Sequence, residues 1–202
     1  MKVKMTIVFG LLFLVGSSMW GYIYYQHKQA LHAVEHGNVD QLERKLNQPF
    51  IEVDGDWMNV AVEQFDVEAA LMLYKHGGTL SDEQWIYLAD LMTFKEFKQI
   101  VEGGAPLEVA LSSQTLIEGL YSLNDEPEKW RFAHERVNSS FLNAHPNVLI
   151  RAVYDGNTEA FEDLLSRMNA DAIPFEELES IVSEMDQQLM SEALTNKKNE
   201  VN

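Results

Sequence analysis

The chain has 202 residues, 46% of them hydrophobic, with 32 acidic against 15 basic side chains and a formal charge of −17. That length and apolar content fit one packed domain. The absence of cysteine excludes disulfide scaffolds, thiolate metal sites and thiol nucleophiles, and the acidity is against a nucleic-acid partner, which would be repelled with no counterion release to drive association.

The chain begins with an apolar run. Lys2 and Lys4 are the only charges before Lys28, and residues 6–25, TIVFGLLFLVGSSMWGYIYY, carry none. A helix of that length spans about 30 Å, the thickness of a bilayer's hydrocarbon core. Trp20, Tyr22, Tyr24 and Tyr25 cluster at its far end, as an interfacial aromatic belt does. The expectation is a short cytoplasmic amino terminus over 1–5 and a transmembrane signal anchor over 6–25. The body would then be exported; in a Gram-negative bacterium it would be a single-pass inner-membrane protein with its carboxy-terminal domain in the periplasm. A signal peptide cut after Ser18 is the rival, although the apolar character continues past that point and no A-x-A triplet is present.

Beyond Lys28 the sequence repeats itself. Residues 33–46, AVEHGNVDQLERKL, align without gaps to 152–165, AVYDGNTEAFEDLL, at an offset of 119. Ala33/Ala152, Val34/Val153, Gly37/Gly156, Asn38/Asn157, Glu43/Glu162 and Leu46/Leu165 are identical. The offset is close to four units of about 30 residues, a period of helical solenoids. Weaker copies lie between: NVAVEQFDVEAALMLYKHGG at 59–78, and WIYLADLMTFKEFKQIVEGGA at 85–105. Each unit reads as two short amphipathic helices around a Gly-Asn or Phe-Asp turn, with a glycine supplying the positive φ that ends the first helix. The pattern blurs over 106–147 and returns at Val148. A last amphipathic stretch follows Pro174, and 195–202 is a polar tail. The expected fold class is all-α, a helical-hairpin repeat solenoid over 28–194 preceded by one transmembrane helix.

The segments ALHAVEHGNVDQLERKL at 30–46 and VLIRAVYDGNTEAFEDLL at 148–165 resemble the ankyrin repeat family. HGG at 76–78 and GGA at 103–105 look like its helix-terminating glycines, and Ala30-Leu31-His32-Ala33 looks like a decayed Thr-Pro-Leu-His-x-Ala start. No complete tetrad survives and repeat lengths vary. Tetratricopeptide hairpins are the structural rival, but their Trp-Leu-Gly-Tyr pattern is not seen. The resemblance implies a non-catalytic protein-binding scaffold, with no cofactor.

Catalytic motifs are absent: there is no G-x-S-x-G, P-loop or Gly-rich dinucleotide signature. The exception is His32-Ala-Val-Glu35-His36, which matches H-x-x-E-H; two histidines four apart share a helix face and could bind Zn²⁺, with Glu35 as base. An exported metal-dependent hydrolase is therefore the alternative, while the ankyrin-like frame reads both histidines as turn residues. For partner binding, Trp57, Trp85 and Trp130 sit near hairpin starts and fit as plugs between repeats. Trp57 is the exception, because it follows Asp54-Gly55-Asp56 in a loop like the protruding ankyrin finger. Asp54, Asp56 and Trp57 are the expected partner-binding residues, matched to a basic protein surface. The expected function is capture of a partner protein, such as an envelope enzyme. In its sharper form the chain is an immunity protein that inhibits a basic secreted toxic effector.

Overall fold

Four times among the described residues, two helices are joined by a turn built on one left-handed residue. The structure is a computed structural model that describes the backbone of residues 2–121 and 126–201 and the side chains of 18–121 and 126–200. It divides into two units, residues 1–80 and 81–202. Among the described residues every regular element is helical, and the one β contact is an isolated bridge between Ala110 and Thr115.

In unit 1, α1 (Lys2–Glu35) pairs with α2 (Val39–Leu46), and α3 (Gly55–Glu63) pairs with α4 (Val67–Lys75). Gly37 ends α1 at φ 60°, so the Asn38 N–H returns to the Ala33 carbonyl at 2.8 Å. The Asn38 side chain then accepts from Gln41 N and opens α2. The α3–α4 turn copies this with Phe65 at φ 60° and Asp66 as the cap, the Asp66 N–H meeting the Ala61 carbonyl at 2.9 Å. Ala33 and Ala61 are buried, and their small side chains let the paired helices approach.

In unit 2 the same turn joins α10 (Asn147–Tyr154) to α11 (Thr158–Arg167), through Gly156 and Asn157. It recurs between α12 (Phe175–Glu184) and α13 (Gln188–Val201), through Asp186 and Gln187. The polar tail is helical as far as it is described, and Lys198 ties α13 to Glu179 of α12 at 2.6 Å.

The stretch between is built differently. It holds α5 (Asp82–Leu91), α6 (Phe94–Glu102), α7 (Leu116–Tyr121), α8 (Pro127–His134) and α9 (Ser139–Ala144). The α5–α6 junction is extended at Met92 and Thr93, with no left-handed residue to fold it back. The principal neighbour of α5 is therefore α7, and that of α6 is α8, while α7 also packs on α8 and α10. Trp85 and Phe97 stack at 5.7 Å to bridge α5 and α6.

The amino-terminal expectation needs correction. Residues 6–25 lie within α1, and among the described residues no helix is long and apolar enough to cross a membrane. The transmembrane signal anchor, the cytoplasmic 1–5 segment, the single-pass inner-membrane placement and the periplasmic display fall with that finding. The physical reason is continuity. The helix does not stop with its apolar run but carries Gln26, His27, Lys28, Gln29 and His32 on the same rod. Its described part is built into unit 1, burying Gln26, Ala30, Ala33 and Val34 against α2 and α3. Lys45 Nζ donates to Gln26 Oε1 at 2.8 Å. The side chains of 6–17 lie outside the described residues.

Candidate functional site

The expected finger residues are split by the fold. Asp54 caps α3, its carboxylate accepting from Asp56 N at 3.2 Å, and both acids are exposed. Trp57 points the other way. It is 3% exposed and lies 5.1 Å from the His27 ring of α1, so it fills the seam between α1 and α3 and is not a surface anchor. Its position in the first turn of α3 faces the helix behind, and Trp85 and Trp130 are buried in the same manner. Only the two carboxylates of the expected trio reach solvent.

A stronger acidic feature lies in unit 2. Glu83, Tyr87 and Asp90 stand at i, i+4 and i+7 on the outer face of α5, so they form one stripe along it. With Glu118 of α7 and Arg151 of α10 they line a cleft of about 500 Å³. Arg151 does not neutralise this wall, because its Nε is paired with Asp155 at 2.7 Å. Glu118 is held rigidly, since its carboxylate accepts from Thr115 N while Glu118 N donates to Thr115 Oγ1 at 3.2 Å. The surrounding charge favours cations as well: unit 2 carries 23 acidic and 9 basic residues, a net of −14, against 9 and 6, a net of −3, in unit 1. A wall of carboxylates beside an aromatic ring suits a lysine or arginine side chain, through charge and through the ring face.

A buried polar chain lies elsewhere in the same unit. Tyr121 Oη donates to His134 Nε2 at 2.6 Å, and His134 Nδ1 donates to Asp163 at 2.7 Å. Arg167 extends it, contacting Asp163 at 3.4 Å and donating to the carbonyls of His134 and Val137. Burial, and then the Asp163 carboxylate, push the Tyr121 phenol well above its ordinary pKa, so it stays an O–H donor. The hydrogen bond from His134, reinforced by Arg167, holds the Asp163 carboxyl below the usual range despite its partial burial. Tyr121 and His134 are buried, while Asp163 and Arg167 open with Trp130 and Glu159 onto a cleft of about 520 Å³; the chain of hydrogen bonds clamps α7, α8 and α11 together behind it. Lys129 is a second clamp: it is 1% exposed, donates to the Ala89 carbonyl at 3.2 Å and pairs with Glu126 at 3.0 Å.

His32, Glu35 and His36 do come together. Their potential ligand atoms all lie within 4.8 Å of one another where α1 ends. All three side chains are exposed. No family model, curated protein or solved structure matches the chain, and the ankyrin resemblance stands on residues 30–46 and 148–165 alone.

Proposed function

We propose that the protein is a non-catalytic binding module that holds a basic partner protein, with the acidic face of unit 2 as its docking surface. The observation that carries this reading is the α5 stripe of Glu83, Tyr87 and Asp90, set in a cleft within a unit of net charge −14. Long-range attraction would speed encounter with a cationic protein and fade as salt screens it. The ankyrin-like hairpins support a scaffold role, since stacked helix pairs present surface without needing chemistry of their own. The buried Tyr121–His134–Asp163 chain fits the same picture, because it fixes the helices that carry the cleft.

The test is crosslinking capture by the full chain, followed by binding measurements between the two purified proteins. A 1:1 complex with a basic protein, weakened at least tenfold by Glu83→Lys with Asp90→Lys and weakened further by 0.5 M salt, is the expected result. A complex indifferent to both changes overturns the acidic-face reading. Inhibition of the captured protein's own activity would refine the role to that of an immunity-type inhibitor.

A further inference from the structure

Independently of that reading, we propose that His32, Glu35 and His36 form a surface site for one divalent transition-metal ion of the zinc class. His32 and Glu35 stand in the last turn of α1 and His36 directly follows it, so the i, i+3 and i+4 spacing brings all three donors together. The two imidazole rings lie 3.9 Å apart, centre to centre, and Glu35 Oε2 is 3.9 Å from His32 Nδ1.

The orientation of His36 is set in the way a metal ligand's is. Its Nδ1 sits 2.9 Å from the His32 carbonyl oxygen, which can only accept, so Nδ1 carries the hydrogen and Nε2 keeps its lone pair for an ion. Tetrahedral zinc ligands lie about 3.3 Å apart, given bonds near 2.0–2.1 Å. Exposed side chains within 4.8 Å of one another close to that spacing by small χ rotations.

The backbone beneath the site is fixed at several points. Gly37 N donates to the Val34 carbonyl at 3.1 Å and Asn38 N to the Ala33 carbonyl at 2.8 Å. Gln64 Nε2, reaching from the end of α3, donates to the Glu35 carbonyl at 3.2 Å. Ala33 and Val34, on the opposite face of the same turn, are fully buried. Binding an ion therefore orders three side chains and little else. The carboxyl end of a helix carries partial negative charge, which adds attraction for a cation.

Two imidazoles and one carboxylate leave positions for water or for a donor from another molecule. That set favours zinc, copper or nickel over magnesium and calcium, which prefer all-oxygen shells. Glu35 serves here as a ligand, because its carboxylate oxygen lies within the cluster of donor atoms.

The experiment is zinc titration of the full chain, by calorimetry or by competition with a chromogenic chelator, in excess Mg²⁺ to occupy scattered carboxylates. One equivalent of zinc is expected, held at least tenfold more weakly by His32→Ala and by His36→Ala, and several-fold more weakly by Glu35→Gln. His76→Ala, which removes an exposed histidine at the end of α4, should leave the affinity unchanged. The site is overturned by the absence of stoichiometric zinc, by cluster variants within twofold of the parent, or by an equal loss in His76→Ala.

Discussion

Unit 1 and the middle of unit 2 solve the same packing problem by different means. In unit 1 each pair of helices is folded back by a left-handed residue followed by a capping side chain, and the core it encloses is almost wholly apolar. Gln26 is its only buried polar residue among those described. Where unit 2 lacks that turn, between α5 and α9, Thr115, Glu118, Lys129 and His134 are buried and each is hydrogen-bonded. Backbone geometry fixes neighbours in one region, and paired polar side chains fix them in the other. Such pairs give specificity at the risk of a large loss when one member goes.

The sharpest way to break this contrast is His134→Ala. It strands the Tyr121 hydroxyl, takes from Asp163 its shorter hydrogen bond and leaves a void, so urea unfolding should show a loss of about 3 kcal/mol. Gln26→Ala in unit 1 should cost about 1 kcal/mol by the same measurement, because one partly buried hydrogen bond goes. Equal losses would erase the distinction.

Asp163→Asn should cost about 1–2 kcal/mol at pH 7. The folded protein holds the Asp163 carboxyl below its ordinary pKa, so the unfolded chain takes up the proton first as acid is added. The stabilisation is full above about pH 5 and is lost as pH falls through the folded value. The gap between variant and parent should therefore narrow as the pH falls below the ordinary carboxylate range, measured as urea midpoints.

The turn residues offer smaller effects of opposite sign. Gly37→Ala places a Cβ in the left-handed region and should lower the melting temperature, with a cost of about 1 kcal/mol. Phe65 already bears that strain at φ 60°, where the matching turns have Gly37 and Gly156, so Phe65→Gly should raise stability by up to about 1 kcal/mol. Smallest of all, Glu83→Lys on the exposed face of α5 should shift the urea midpoint by less than about 0.5 kcal/mol equivalent. It should still weaken partner capture, which would separate binding from folding.

The hairpin turns were readable from the chain because their signal is local. A small residue, a three-residue gap to Gly or Phe, and then Asn or Asp lie within six positions, as in Ala33 to Asn38 and Ala61 to Asp66. The spacing of His32, Glu35 and His36 was readable for the same reason. The Tyr121–His134–Asp163 clamp was not: its members are 13 and 29 positions apart and meet only once α7, α8 and α11 have packed. Trp57 was misplaced because loop composition identifies the acids that cap a helix but not which way the next side chain turns. The α5 stripe has the right period, yet 32 acids offer many such stripes, and the sequence does not tell which of them line a cleft. The apolar run at 6–25 was read as a separate segment because hydropathy stops where charge begins, whereas the hydrogen-bonded helix continues to Glu35.

Lys129 has a consequence for watching this protein move. Its amine is sealed beneath α5, with its protons committed to the Ala89 carbonyl and the Glu126 carboxylate. Acylating reagents that need a free lone pair will modify surface lysines such as Lys98 at once and will reach Lys129 only during an opening of unit 2. The lag between the two sites is a clock for that opening, carried by the native chain without a label.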